Sequence, residues 1–328
     1  MSALAAAKLT KDLFGKSIPI ASTRDGFGHG LCKAAEENSN VVALCADLTE
    51  SIRVLEFKKD FPDRFIQMGV SEQSLAAIAS GMALAGKIPF IASYAAFSPG
   101  RNWEQIRTTG CLQNVNLKIV GSHAGVSVGP DGATHQMTED IALMRVLPNM
   151  TVLVPCDAIE AEKATLAAAE IDGPVYIRLS REATPVFTTA KSPFEIGKAQ
   201  VLTKGNDVAI IACGPLVYEA LKAARDLEKT GIEARVINCA SIKPLDKETI
   251  IKAAKECGAI VTVEEAQIAG GLGGAICELL SESSPTPVIR IGMQDAFGQS
   301  GTPEELLEHY QMTAPWIVKA VKRVMKMK

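Results

Sequence analysis

Short, almost uninterrupted apolar runs alternate along this chain with longer stretches in which Ala and Leu recur at helical spacing. Runs of β-branched and aliphatic residues without a polar face predict strands covered on both sides, as in a parallel sheet, and the stretches between them predict the covering helices. In the first part the pattern predicts strands over residues 41–46, 65–68, 90–93, 117–121, 152–155 and 175–179, with helices over 72–85, 102–113 and 158–171. Around residues 188–205 it relaxes into a polar connection containing Lys191, Ser192 and Pro193. A second series follows, with strands over 208–213, 234–238, 260–264 and 288–292 and helices over 216–230, 247–257 and 273–280. The expected fold class is therefore α/β, with two domains, each a largely parallel sheet flanked by helices. Residues 1–16 form an N-terminal extension, 17–190 the first domain and 191–328 the second. No fixed-period repeat interrupts this plan.

Composition narrows the possibilities. The 328 residues suit two domains of ordinary size, and 47% apolar against 22% charged residues excludes a disordered chain. With a net charge of −3 and no dense Lys/Arg face, nucleic acid is not an expected partner. The basic residues at 322–328 read as a solvated helix end. Eight cysteines (Cys32, Cys45, Cys111, Cys156, Cys213, Cys239, Cys257 and Cys277) form no CxxC pair, and most lie in apolar stretches, so they read as buried thiols in a reducing compartment. No apolar run reaches the roughly 20 residues needed to span a bilayer, and no signal peptide is evident. A cytoplasmic protein without a membrane partner is expected.

Three Gly-rich stretches invite a chemical reading. Gly270-Gly271-Leu272-Gly273-Gly274 follows a strand and opens a helix, but its spacing is neither GxGxxG nor a Walker loop, so a tight, closely packed turn is expected. Asp25-Gly26-Phe27-Gly28-His29-Gly30 lacks the preceding apolar strand that a dinucleotide site requires. The stretch from Gly121 to Gln136 differs, because it holds two of the four histidines, His123 and His135, directly after a predicted parallel strand. Ligands in α/β sheets bind beyond the carboxyl ends of strands, and histidines there suit proton transfer. A long turn with satisfied polar side chains would have the same composition.

The run Gly129-Pro130-Asp131-Gly132-Ala133-Thr134-His135-Gln136, followed by Leu147-Pro148-Asn149 and by Ile-Arg-Leu-Ser-Arg ending at Arg181, resembles the thiamine-diphosphate enzymes of the transketolase family. Ala46-Asp47-Leu48-Thr49, Gly69-Val70-Ser71-Glu72-Gln73 and Phe297-Gly298-Gln299-Ser300-Gly301 match in the same order, so the resemblance covers about residues 17 to 320. It implies a pyrimidine-binding domain followed by a transketolase C-terminal domain. The family's first domain, which binds diphosphate and Mg²⁺ through a GDG motif, has no counterpart here. The resemblance thus implies the C-terminal subunit of a split transketolase. An N-terminal partner subunit would supply the Mg²⁺ ligands, giving a heterotetramer of two plus two chains. The second domain is expected to add interface and stability more than chemistry.

Residue by residue, the resemblance implies that Glu72 bonds the pyrimidine ring of thiamine diphosphate and favours its imino tautomer. Read without the family, Glu72 is an ordinary acid in a helix's first turn. Tyr94 and Phe97 match aromatics around the pyrimidine, and Trp103 either shares that role or packs in the core. Leu48 matches an apolar residue that bends the cofactor, with Asp47 beside it. Arg24, Ser51, His123 and Arg181 match positions that hold a sugar phosphate, for which forked guanidinium donors are suited. Asp131 matches a carboxylate that reads a sugar hydroxyl, and His135 a histidine near the reacting carbonyl. Where relatives often carry Glu-His or Glu-Gln-His, this chain has Glu72-Gln73-Ser74.

The implied activity is transfer of a two-carbon ketol unit between sugar phosphates. Deoxyxylulose-phosphate synthase shares the architecture but typically has Arg where this chain has His123, although Arg101 is compatible with it. The β subunit of 2-oxoacid dehydrogenases lacks a close counterpart of Thr134-His135-Gln136. A non-catalytic regulatory paralogue would keep the fold without turnover.

Overall fold

The computed structural model describes residues 7–328. Its strands are β1 (Ile20–Ala21), β2 (Val41–Cys45), β3 (Phe65–Gln67), β4 (Ile88–Tyr94), β5 (Lys118–Ser122), β6 (Thr151–Leu153), β7 (Val175–Arg178), β8 (Thr184–Pro185), β9 (Gln200–Val201), β10 (Val208–Ala212), β11 (Ala234–Asn238), β12 (Ser241–Lys243), β13 (Ile260–Gln267) and β14 (Val288–Met293). Its α-helices are α1 (Thr23–Glu37), α2 (Leu55–Asp60), α3 (Glu72–Leu84), α4 (Trp103–Gln105), α5 (Asp140–Arg145), α6 (Ala158–Glu170), α7 (Leu216–Glu228), α8 (Lys247–Cys257), α9 (Leu272–Ser283), α10 (Pro303–His309) and α11 (Ala314–Val324). None is long and apolar enough to cross a membrane.

The fold is α/β with two main sheets. The first has the order β12-β6-β7-β5-β4-β2-β3, the second β14-β13-β10-β11-β9. All neighbours are parallel except β12 on β6 and β9 on β11. The parallel strands β2, β5, β7 and β10 are buried at every position, as the unbroken apolar runs required. Lys118, Ser122 and Arg178 are the polar exceptions, and Lys118 is the one farthest from the strands' carboxyl ends. It lies buried at the start of β5, donates to Ile171 O and Gly173 O, and burial lowers its pKa to about 7.

Four features depart from the sequence expectation. The single helix expected over 102–113 is instead the short α4 continued by a π-helical turn, Ile106–Cys111. Tyr94 closes β4 rather than following it. A helix, α1, runs through the Gly-rich stretch at 25–30; the capping box between Ser22 and Asp25 starts it. Its glycines let α1 lie against α6, since a Cβ at Gly26 would collide with Ala158 O and one at Gly30 would come 2.8 Å from Glu162 O. Finally, β12 leaves the second domain to pair with β6, completing the edge of the first sheet.

The Gly-rich turn at 270–274 is tightly packed, as expected, against a buried carboxyl. The buried Glu264 carboxylate accepts from Leu272 N at 2.7 Å and Gly273 N at 2.8 Å, occupying the N-terminus of α9. Residues 7–18 belong to the second domain's core through Ala7 and Leu13, and Phe14 lies 6.1 Å from Tyr218, ring centre to ring centre.

Candidate functional site

The strand order of the first sheet reverses between β2 and β4, which makes a crevice beyond their carboxyl ends. Asp47 and Leu48 follow β2, Tyr94 ends β4, His123 follows β5 and Arg181 lies just beyond β7. Parallel pairing thus gathers residues more than a hundred positions apart at one end of the sheet.

Glu72 is the first residue of α3 and is buried. Its carboxylate lies 3.3 and 3.4 Å from Arg101 Nη1, and its carbonyl accepts from Asn102 Nδ2 at 3.0 Å. Arg101 lies over the Phe97 ring, 4.3 Å from its centre. Phe97 stacks with Tyr94 at 5.9 Å, Tyr94 stacks with His123 at 3.8 Å, and His135 meets Phe97 edge-on at 5.4 Å. These contacts make a continuous aromatic wall from the buried carboxyl to both histidines. Trp103 is not part of it: Trp103 packs against the core, and its indole N–H donates to Leu143 O.

Gln67 ties two of the loops together. Its Oε1 accepts from Asp47 N and Gly69 N, while its Nε2 donates to Thr49 Oγ1. Asp47 and His123 both sit at positive φ, 59° and 55°, a conformation that costs a non-Gly residue energy and concentrates at functional sites.

Beyond the wall lies a group of cations. Arg24 Nη1 donates to Ser51 O at 2.6 Å, Arg53 Nε pairs with Asp25 at 2.6 Å, and Arg181 Nη1 donates to Val128 O at 2.6 Å with Asp131 at 4.0 Å. Thr23 and Ser180, bonded to each other, join the start of α1 to the end of β7 and so bring Arg24 and Arg181 to the same side. His123 Nδ1 lies 2.9 Å from Ser122 Oγ. Burial, then Arg24, Arg181 and Arg53, push the His123 pKa down to about 3, so the ring is neutral at ordinary pH. Burial and Arg53 likewise lower the Arg24 pKa. A cluster of guanidiniums that repel one another is suited to an anion that neutralises them.

Of the residues named from the sequence, Glu72 joins through Arg101 the wall formed by Tyr94, Phe97, His123 and His135, Arg24, Asp131 and Arg181 lie in the charged group beyond it, and Ser51 contributes its carbonyl to Arg24, whereas Trp103 lies apart in the core. The sequence reading had assigned no role to Arg53, Gln67 and Ser122. Arg53 carried no local signal, since its place depends on a positive φ of 63°. Among the described residues, no three His, Cys, Asp or Glu side chains gather as metal ligands.

Comparison with known proteins agrees with the geometry. Residues 20–186 match the transketolase pyrimidine-binding domain and residues 197–317 the transketolase C-terminal domain. A putative transketolase C-terminal section from Methanocaldococcus jannaschii is 43% identical over 306 residues, covering 92% of this chain and 96% of that protein. A 6-deoxy-6-sulfo-D-fructose transketolase subunit from Clostridium sp. (strain MSTE9) is 39% identical, covering 93% and 95%. A solved structure described as a split gene transketolase, inactive beta4 tetramer, superposes with a TM-score of 0.88 at 46% identity, covering 94% of this chain and 99% of that one. The chain therefore belongs to the transketolase family, whose members depend on thiamine diphosphate, and it spans the two domains that its split-gene relatives carry as a C-terminal subunit.

Proposed function

We propose that this chain forms half of the active site of a transketolase that moves a two-carbon ketol unit between sugar phosphates. The observation that carries the reading is the buried Glu72 carboxyl at one end of an aromatic wall whose other end meets a cluster of arginines. A buried carboxyl whose cationic neighbour is a half-exposed guanidinium, set beside stacked rings, fits an aminopyrimidine. Thiamine diphosphate supplies, when bound, the carbon nucleophile that attacks a ketose carbonyl and stabilises the charge left on the transferred unit.

In this reading Glu72 hydrogen-bonds a pyrimidine nitrogen, with Tyr94 and Phe97 stacked on the ring and Leu48 and Asp47 bordering the thiazolium. Arg24, Ser51, His123 and Arg181 hold the terminal phosphate of the sugar, Asp131 accepts from a sugar hydroxyl, and His135 donates to the oxygen of the reacting carbonyl. The diphosphate and Mg²⁺ belong to an N-terminal subunit in a two-plus-two heterotetramer. The description of the split-gene relative as an inactive tetramer of β chains supports that requirement. A second reading, in which the donor bears a sulfonate, is favoured by the sulfofructose relative, because the same guanidiniums pair with either anion.

Mixing the chain with its N-terminal partner, Mg²⁺ and thiamine diphosphate tests the proposal. Ketol transfer from a phosphorylated ketose is expected, with Glu72→Ala slower by at least about 100-fold, roughly the contribution of one positioned acid–base group. Turnover indifferent to Glu72→Ala would sink the mechanism. Transfer from a sulfonated ketose alone would move the reading to that donor, and pyruvate consumption would move it to the synthase reaction.

A further inference from the structure

Residues 125–138 carry Asp131 and His135, and much of what holds them comes from the other domain. At the base, Glu265 Oε1 accepts from Ser127 N at 2.5 Å, and Gln267 N donates to Thr138 O at 2.8 Å. Gln267 Nε2 also reaches Thr138 Oγ1 at 3.2 Å. Arg178, itself paired with the buried Asp140, donates to Glu265 O at 2.7 Å and so fixes β13 against the loop.

Nearer the histidine, the buried Gln136 does the same work alone. Its Nε2 lies 3.1 Å from Val126 O and 3.2 Å from Gly129 O, both within the loop, and 2.9 Å from Gln299 O in the second domain. Two amide hydrogens serve three carbonyls, so one bond is shared. Gln136 Oε1 faces Gly298, where an added Cβ would collide with it, and Gly132 faces the Ser300 hydroxyl. Both contacts require the 298–301 turn to lie directly against the loop. Gln136 Oε1 has no hydrogen-bond partner of its own among the described residues, so the amide is held by what Nε2 donates.

We propose that Gln136 is a positioning residue: it clasps the His135 loop to the 298–301 turn, so that the second domain sets where His135 points. The inference rests on the reading of His135 as a group that meets substrate. Its consequence is that the second domain takes part in the chemistry through a neighbour rather than by touching the reacting atoms.

Hydrogen exchange on the chain alone tests the clasp without any assay of activity. Gln136→Ala should speed exchange of the amides of residues 125–138 by about tenfold or more, leaving β4, β5 and β10 protected. Gly298→Ala, made in the other domain, should produce the same local pattern, and it answers the question if Gln136→Ala fails to fold. In the reconstituted complex both variants should lower kcat by about tenfold with a smaller change in the donor KM, since Arg24 keeps its bond to Ser51 outside the loop. Unchanged exchange in the loop, or acceleration spread evenly over both domains, overturns the proposal. Wild-type complex inactive toward ketoses would instead remove the functional reading, with the exchange result still deciding whether the clasp exists.

Discussion

The guanidinium of Arg101 bridges the Phe97 ring and the buried carboxylate of Glu72, 4.3 Å from the ring centre and 3.3 Å from Oε2. It therefore lies on the hydrogen-bonding side of the carboxyl that a pyrimidine nitrogen would need. Because the Arg101 side chain is 52% exposed, the pair contributes less than about 1 kcal/mol. Arg101→Met should tighten thiamine diphosphate binding to the reconstituted complex by about two- to fivefold, as read by titration calorimetry. Weaker binding would show that Arg101 supports the ring instead of competing with it.

Arg24 and His123 should be coupled electrically. Arg24 is the leading charge among those that depress the His123 pKa, after burial. Arg24→Leu should move the His123 titration upward from about 3, as followed by NMR of the imidazole protons, and should raise the donor KM about tenfold or more. An imidazole kept neutral in the folded chain also makes a stability contribution of definite sign. That contribution is present above pH 6.5 and is lost as pH falls toward 3, because the unfolded chain takes up the proton first.

Glu264 acts in the opposite direction. Burial raises its pKa to about 7 against an ordinary 4.5, even though it accepts from two helix N–H groups. Its contribution to stability is full below about pH 4.5 and is lost as pH rises through 7. Glu264→Gln should be destabilising at pH 4.5, where its amide N–H₂ faces backbone donors. Its deficit relative to wild type should shrink by about 3 kcal/mol by pH 8, measured by urea unfolding. A deficit independent of pH would show that Glu264 is ionised throughout.

Two glycines in helices should respond oppositely to alanine. Gly26→Ala forces α1 away from Ala158 O and should cost about 1–3 kcal/mol. Gly81 in α3 has open space around its Cβ position, so Gly81→Ala should stabilise the isolated chain by about 0.5–1 kcal/mol. Thermal unfolding of the two variants checks both signs at once.

The first sheet was legible because its central strands are apolar at nearly every position and too short for buried helices. Helix α1 was not, since Gly26, Gly28 and Gly30 are poor helix formers whose place is set by close packing, Gly26 and Gly30 against α6 and Gly28 against Arg53. The Ser22–Asp25 box was the available signal. At the site, Glu72, His123, His135 and Arg181 could be named from ordered motifs, and the fold brings them to one crevice. Arg53 could not, because it reaches the cation group through a left-handed turn that leaves no trace in residue type. Gln136 was visible in the motif, yet its partner is a backbone carbonyl 163 positions later, at Gln299.

Strand β12 has a bearing on how this protein is made. The ribosome finishes the part of the first sheet that bears the crevice by residue 181, but the outer edge of β6 stays bare until Ser241–Lys243 emerge. During that interval the nascent chain presents an open strand edge, the kind of surface that recruits neighbouring chains into aggregates. A fragment ending near residue 190 would keep that edge permanently, so expression of the first domain alone is the wrong starting point for studying its chemistry.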